Sequence, residues 1–432
     1  MRLSTFASAL LLFSSLALSA CAVDREVSDD PAANGVKPGP GPGPGPGPIP
    51  NPSTGKLTGK VVAPEGTIPI SGALVYVVPY APTAIPDAVY CDKCVHIPDG
   101  TPHTTTKPDG TFELDASTGN YYLVVQKGAF RRVRQISIVE GAQQIPKDKT
   151  TLPAITDKMN GDDIPKIAVV VGAWDPIEVV LARMGLKATI SKDLLGKAQV
   201  LAKDAPAFAI YGLQGLGLPS PYPSVNTLLT DPKELGKYHI LFLPCSGGTN
   251  QMDTGPKCTG VFNTDARVKS NLADFVAKGG RIYVSDWSYE YVRQVFPGYI
   301  TWRGESTQIG SACSGGGGNQ SVYKKESGLD AWLQAQGKSL SEVKDAWTAI
   351  ASVQDKMDID ADGKMSKITP KVWVETTSPV TASVQHGCGR VLYTTYHTQP
   401  TSETSGALEP QALALLYLIL EVGVCIDPLV IG

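Results

Sequence analysis

The spacing of hydrophobic residues changes near residue 160. Between residues 56 and 125, short apolar or alternating runs are separated by turn residues such as Pro108-Asp109-Gly110 and Gly119-Asn120. Proline presets the backbone for such turns, and glycine tolerates the positive φ that some of them need. This spacing predicts β-strands joined by tight turns, and so an N-terminal all-β sandwich over residues 55–155.

After residue 160, continuous apolar runs alternate with helical spacing. Apolar runs without a polar face predict strands buried on both sides of a parallel sheet, here at residues 166–172, 239–244, 281–284 and 390–395. Helical spacing predicts helices at residues 175–183, 266–277, around 339–353, and 409–422. We therefore predict a multidomain chain whose residues 160–432 form a doubly wound, flavodoxin-like α/β sheet, with a decorating insertion at about 301–378.

The first 21 residues follow the order of a bacterial secretory signal. Arg2 precedes an apolar run over residues 6–17, and Leu18-Ser19-Ala20-Cys21 follows. The segment resembles a lipobox, which implies that residues 1–20 are removed and that Cys21 carries a lipid in the cell envelope. Ala22 follows Cys21 where an aspartate would imply the inner membrane, so the resemblance favours the outer membrane. The alternatives are an ordinary signal peptide or a membrane helix, although the run is shorter than the roughly 17–25 residues of a span.

Residues 21–54 are predicted to be a tether. Proline and glycine alternate strictly over residues 38–48, and this period of two differs from the period of three in collagen. The segment has too few apolar residues to bury a core. The whole chain has a net charge of -3 and no basic patch, which argues against nucleic acid as a partner. The membrane, an envelope protein or a glycan are the partners that we expect.

Seven cysteines follow Cys21, and an oxidising envelope would allow disulfides. Because seven is odd, at least one thiol is free or pairs with another chain. Cys91 and Cys94 lie in a proline-rich loop, and we predict that they form a disulfide rather than half of a zinc site. Cys245 and Cys258 are the other candidate pair, and a buried free thiol at Cys245 is the alternative.

Three stretches resemble a carboxypeptidase regulatory-like domain: "LTGKVVAPEGTIPISGALVYV" at residues 57–77, "TKPDGTFEL" at 106–114 and "GNYYLVVQKGAFRRV" at 119–133. The resemblance implies a transthyretin-type sandwich that serves as an accessory without catalytic residues. Arginines at 131, 132 and 134 are expected on a solvated edge strand, where charge discourages pairing with another sheet.

Three later stretches resemble the class I glutamine amidotransferase-like fold, especially its ThuA-like branch. They are "KYHILFLPCSGG" at residues 237–248, "LADFVAKGGRIYVSDWSYEYV" at 272–292 and "GRVLYTTYHT" at 389–398. The resemblance places Ser285 near the position of the nucleophilic cysteine and His397 near that of the histidine.

Gln399 stands where the resemblance expects the acid that orients the histidine, and a glutamine cannot hold an imidazolium as a carboxylate does. The small residues that would permit a strained turn after Ser285 are also missing. We therefore predict that amidotransferase chemistry is absent, and that the chain is a non-catalytic binding or scaffold protein rather than an enzyme. The alternative is a hydrolase that uses Ser285 or Cys245 with His397, and with the neighbouring aspartate or Glu290 as the orienting acid.

Asp358, Asp360 and Asp362 alternate before Gly363, as in the first half of an EF-hand loop. Their hard oxygen ligands would suit calcium, and a calcium-dependent adhesion protein is a third functional hypothesis. The twelfth position of the loop, however, is Thr369 instead of a bidentate glutamate. The competing interpretation is a polar turn in which aspartate side chains bond to nearby backbone.

Overall fold

The computed structural model describes residues 53–91, 97–172, 174–192, 198–212, 222–245, 262–313, 315–398 and 408–422. The predicted signal peptide, Cys21 and almost all of the predicted tether lie outside these residues. Residues Pro52–Gly432 form one compact unit that is rich in β-structure and contains several sheets. Within the described residues, no helix combines the length and the apolar character needed to cross a membrane.

Two sheets are built from the first eight strands, which are β1 Thr54–Lys60, β2 Leu74–Val78, β3 His103–Thr105, β4 Thr111–Ser117, β5 Gly119–Lys127, β6 Phe130–Ile138, β7 Gly141–Gln144 and β8 Asp162–Asp163. One sheet has the order β4-β1-β7 and the other β3-β2-β5-β6-β8. Burial alternates along β1 and β4, so that Leu57, Phe112 and Leu114 point into the core. This period of two is the pattern that predicted the strands.

The arginines of β6 do not lie on a free edge, which corrects the sequence prediction. Strand β8 pairs with β6 through Arg131 and Arg132. Arg131 donates to Asp163 over 2.9 Å, and Arg132 and Arg134 both donate to Asp162. Two aspartates that are distant in sequence therefore cover these charges and extend the sheet.

An eight-stranded sheet forms the centre of the remaining chain. Its strands are β9 Ile167–Val170, β12 Ala209–Tyr211, β13 Ile240–Leu243, β14 Arg281–Ser285, β17 Lys324–Lys325, β22 Lys371–Glu375, β23 Pro379–His386 and β24 Gly389–Thr394. The order is β12-β9-β13-β14-β24-β23-β22-β17. The first five strands in this order are parallel, and the last three add on as antiparallel strands. The predicted buried strands are therefore confirmed as neighbours in one sheet.

Short two-stranded pairs surround this sheet: β10 Ile190–Lys192 with β11 Ala198–Val200, β15 Ile300–Trp302 with β19 Ile350–Val353, β16 Gly318–Ser321 with β18 Glu342–Ala346, and β20 Lys356–Ile359 with β21 Met365–Ile368. The α-helices are α1 Lys147–Thr150, α2 Ile177–Arg183, α3 Val225–Thr230, α4 Pro232–Leu235, α5 Ala266–Ala277, α6 Glu290–Val295, α7 Ser327–Ala335 and α8 Pro410–Val422. Helical turns of the 3-10 type occupy Lys158–Asn160, Ala202–Asp204 and Asp286–Tyr289.

Both faces of the parallel strands are buried, in two separate hydrophobic clusters. One cluster contains Ile167, Phe242 and residues of α2, α7 and α8, and it continues into the core of the two N-terminal sheets. The other contains Ala168, Leu241 and residues of α3, α5 and α6. The N-terminal sheets therefore share one continuous core with the larger sheet.

The segment at 301–378 differs from its prediction in two ways. It adds strands β17 and β22 to the eight-stranded sheet, so it does more than decorate it. The predicted helix around 339–353 is wrong, because β18 and β19 occupy that segment and α7 precedes it. Val343, Ala346 and Ile350 are buried, and pairing with distant strands decided their conformation over the apparent helical spacing.

A disulfide joins Cys91 to Cys388, with a Cα–Cα distance of 5.3 Å and a sequence separation of 297. This corrects the predicted pairing of Cys91 with Cys94. Cys94 itself lies outside the described residues. Cys313 is also disulfide-bonded. Cys245 is a free and buried thiol, so its predicted pairing with Cys258, which is likewise outside the described residues, is wrong.

His239 makes a second link between the N-terminal segment and the larger sheet. The backbone N–H of Lys166 donates to its Nδ1 over 2.9 Å, and its Nε2 lies 3.1 and 3.0 Å from the carbonyl oxygens of Pro86 and Ala88. Burial lowers the pKa of His239, which keeps the ring neutral and able to accept at one nitrogen while it donates at the other.

We predict that Cys388→Ser lowers the free energy of unfolding by about 2–5 kcal/mol, because a bond that closes so long a loop restricts the unfolded chain. Chemical unfolding of oxidised material measures the loss, and the control is the same comparison after reduction, where the wild type and Cys388→Ser should be equally stable. A large loss in Cys94→Ser with none in Cys388→Ser would restore the pairing of Cys91 with Cys94.

Candidate functional site

Polar side chains gather where four neighbouring parallel strands end. Asp175 follows β9, Cys245 follows β13, Ser285 ends β14 with Asp286 directly after it, and His397 follows β24. The carboxyl ends of parallel strands meet at one edge of the sheet, which is where such sheets bind ligands. Among these side chains, exposure is at most 5%. The structure therefore brings Ser285, Cys245 and His397 into one cluster at this edge of the sheet.

The hydroxyl of Ser285 is committed to partners other than His397. It donates to Oδ2 of Asp175 over 2.6 Å and accepts the backbone N–H of Cys245 over 2.8 Å. The other oxygen of Asp175 accepts the backbone N–H of Thr398 over 2.9 Å and also its hydroxyl. Ser285 thus links three strand ends. Its hydroxyl donates to the carboxylate of Asp175 and not to His397.

Asp286 lies in the turn after β14 and adopts a φ of 40°. Its Oδ2 lies 2.9 Å from Nε2 of His397. Its Oδ1 accepts both the backbone N–H and the hydroxyl of Thr348, each over 2.7 Å, and the Thr348 hydroxyl also contacts Tyr393. A left-handed backbone conformation therefore occurs directly after Ser285, although Asp286 is not one of the small residues that favour it.

The charges of the cluster shift the pKa values of its members. Burial alone would lower the pKa of His397, but the hydrogen bond and charge of Asp286, with the charge of Asp175, raise it overall. Burial raises the pKa of Asp175. Burial, and then the charge of Asp286, raise the pKa of the Cys245 thiol well above its ordinary value. This shift favours the protonated thiol of Cys245, which is a poor nucleophile.

Glu290 does not orient His397. Its carboxylate makes two hydrogen bonds of 3.0 Å with the guanidinium of Arg293 and accepts the backbone N–H of Gly310. Gln411 instead contacts the backbone oxygen of His397 through its side-chain amide. Gln399, which stands at the acid position of the resemblance, lies outside the described residues.

Asp358, Asp360 and Asp362 belong to the β20–β21 hairpin. Asp358 accepts from the hydroxyl of Tyr299 over 2.7 Å, while Asp360 accepts the backbone N–H groups of Asp362 and Lys364. The first two carboxylates thus bond to protein donors in different directions. The calcium prediction receives no support from this geometry, which matches the polar turn of the competing interpretation.

A different group has the spacing of metal ligands. The sulfur of Cys245, a carboxylate oxygen of Asp286 and a ring nitrogen of His397 all lie within 4.8 Å of one another. All three residues are buried. Among the described residues, no other group of three such side chains meets this condition.

Asp175 and Glu178 are members of this region that the sequence did not single out as functional. The sequence indicated Asp175 only as the first residue of the helix predicted at 175–183, although an aspartate shortly after a buried strand is itself a signal. Glu178 follows on α2, and its Oε2 has no hydrogen-bond partner in the described part of the chain. Burial, together with the charge of Asp175, raises the pKa of Glu178 to about 7.

The chain matches no protein-family profile and no curated protein. Among solved structures, it is similar to a cytoplasmic protein from Salmonella typhimurium, with 11% identity and a TM-score of 0.29, over 59% of this chain and 98% of that one. It is also similar to a β-galactosidase from Bacillus circulans sp. alkalophilus, with 13% identity and a TM-score of 0.29, over 60% of this chain and 31% of that one. Scores this low assign neither a shared fold nor a shared activity.

We predict that Glu178→Gln stabilises the protein at pH 8 by about 3 kcal/mol. The pKa of Glu178 is higher in the folded protein than in the unfolded chain, so the unfolded chain loses this proton at lower pH. The stability of the wild type therefore falls as pH rises from about 4.5 to about 7. At pH 5 the difference should shrink to about 1 kcal/mol or less. Urea unfolding at both pH values measures this change, and Glu342→Gln on an exposed position of β18 is the control. An equal difference at both pH values would contradict the assignment.

Proposed function

We propose that this chain is a lipid-anchored protein of the cell envelope with a non-catalytic binding or scaffold role. The observation that carries the non-catalytic part is the pairing of Ser285 with Asp175 instead of His397. A serine nucleophile requires a base within hydrogen-bond reach of its hydroxyl. Here Nε2 of His397 is hydrogen-bonded to Asp286, and the hydroxyl of Ser285 donates its hydrogen bond to Asp175.

Burial supports the same proposal. Ser285 and Asp286 are 0% exposed, and His397 is 5% exposed. A substrate would have to displace several charge-assisted hydrogen bonds to reach them. The competing hydrolase hypothesis with Cys245 has one favourable feature, the short distance between Cys245 and His397, but the raised pKa of the thiol works against it.

We further propose that the eight-stranded part has an amidotransferase-like, flavodoxin-like fold that has lost the amidotransferase chemistry, and that the two N-terminal sheets are an accessory sandwich. The five parallel strands, their burial on two faces and the left-handed turn at Asp286 support the first assignment. The alternation of burial along β1 and β4 supports the second.

A cleft on the N-terminal sheets is a candidate contact surface for the binding role. Its volume is about 300 Å³, and Lys60 and Lys147 lie beside the apolar side chains of Val62 and Ile145. Two cations near an apolar floor would suit an anionic group that is attached to an apolar body. The cleft shares no lining residue with the buried polar cluster.

We predict that fluorophosphonate and iodoacetamide probes do not label Ser285 or Cys245 in the folded protein, because both are buried and neither is activated. Mass spectrometry of probe-treated, full-length protein measures labelling at each residue. Labelling that disappears in His397→Ala would instead establish the hydrolase, whereas labelling that persists in that variant would report only accessibility.

We predict that the protein fractionates with membranes and incorporates labelled palmitate, and that Cys21→Ala abolishes both. The sequence Leu18-Ser19-Ala20-Cys21 motivates this expectation. Cys94→Ala is the matched control and should retain the lipid. An intact mass without a diacylglyceryl group at Cys21 would contradict the anchor, and it would leave the non-catalytic proposal unaffected.

A further inference from the structure

We propose that Cys245, Asp286 and His397 bind one zinc-class divalent ion, which joins the ends of β13, β14 and β24. This site is independent of the envelope role and of the lipid anchor. It rests on the convergence of a sulfur, a carboxylate oxygen and an imidazole nitrogen within 4.8 Å. These three donor types are the usual protein ligands of Zn²⁺.

The distance between the nitrogen and oxygen ligands requires only a small rearrangement. Nitrogen and oxygen ligands at about 2.1 Å from a tetrahedral ion lie roughly 3.4 Å from each other. Nε2 of His397 and Oδ2 of Asp286 are already 2.9 Å apart. A separation of about half an ångström would therefore replace their direct hydrogen bond with two bonds to the ion. Three protein ligands would leave the fourth position to a water molecule.

Neighbouring groups hold the ligands in place. Thr348 donates twice to Oδ1 of Asp286, which leaves Oδ2 directed toward the cluster, and Tyr393 contacts the Thr348 hydroxyl. The backbone N–H of Trp287 donates to the sulfur of Cys245. Metal ligands in proteins are commonly oriented by such outer hydrogen bonds.

Charge balance favours the same occupant. The two positive charges of Zn²⁺ would neutralise a thiolate and a carboxylate, and His397 would bind as a neutral imidazole. Buried charges are costly unless they are paired or coordinate a metal. The ion would thus compensate the close approach of Cys245 to the Asp286 carboxylate, in a site whose three protein ligands are all buried.

The test uses the full-length protein, extracted in detergent and purified without chelators after growth with added zinc. Metal content per chain is measured by mass spectrometry, and the ion is then exchanged for Co²⁺. We expect about one zinc per chain, and a near-ultraviolet thiolate-to-cobalt charge-transfer band with visible bands of tetrahedral intensity.

Cys245→Ser should lose the charge-transfer band, although every other cysteine of the chain is unchanged. His386→Gln is the matched control, because His386 also contacts a carboxylate, that of Asp358 over 3.2 Å, outside the cluster. This control should keep both the zinc and the band. Wild-type protein without the band, or a band that persists in Cys245→Ser, would overturn the proposal.

A second measurement covers the case in which Cys245→Ser does not fold. Adding Zn²⁺ to chelator-treated protein should raise the melting temperature of the wild type and of His386→Gln, because an ion that binds only the folded state stabilises it. His397→Gln should show no such rise. Equal rises in all three proteins would place the zinc elsewhere and overturn the assignment.

Discussion

The carboxylate of Asp175 is the constraint on which the arrangement of the parallel strand ends depends. It is 0% exposed, and its two oxygens accept hydrogen bonds from Ser285 and Thr398, which belong to different strands. Ser285 passes the connection on to the backbone of Cys245. A buried carboxylate is tolerated only when its oxygens have donors, so the strand ends must keep this relative position.

That arrangement determines what the cluster can do. The Ser285 hydroxyl is bonded to Asp175, and His397 is bonded to Asp286. An enzyme of this type needs a hydroxyl or thiolate that faces its base and an opening for the substrate. Binding of a buried ion requires only that the ligands converge, and Cys245, Asp286 and His397 do converge.

The two N-terminal sheets are held to the larger sheet by several kinds of interaction at once. They share its hydrophobic core, the Cys91–Cys388 disulfide closes the connection covalently, and the indole N–H of Trp332 donates to the carbonyl of Pro69 over 2.7 Å. His239 adds bonds to the loop that precedes Cys91. N-terminal sheets packed in this way cannot move freely, so a ligand bound on one part would be held rigidly with respect to the other.

The sequence by itself determined the elements whose pattern is local. The strands β9, β13, β14 and β24 and the helix α5 lie where apolar runs and helical spacing predicted them, because the side-chain period reports directly which faces are buried. It also brought Ser285, Cys245 and His397 forward as candidates. Only the tertiary structure decided that Ser285 bonds to Asp175 and that Cys91 pairs with Cys388. It also decided that β18 and β19 form where a helix was predicted. Each of these depends on residues far apart in the chain, and local periodicity carries no information about which distant group fills a given position.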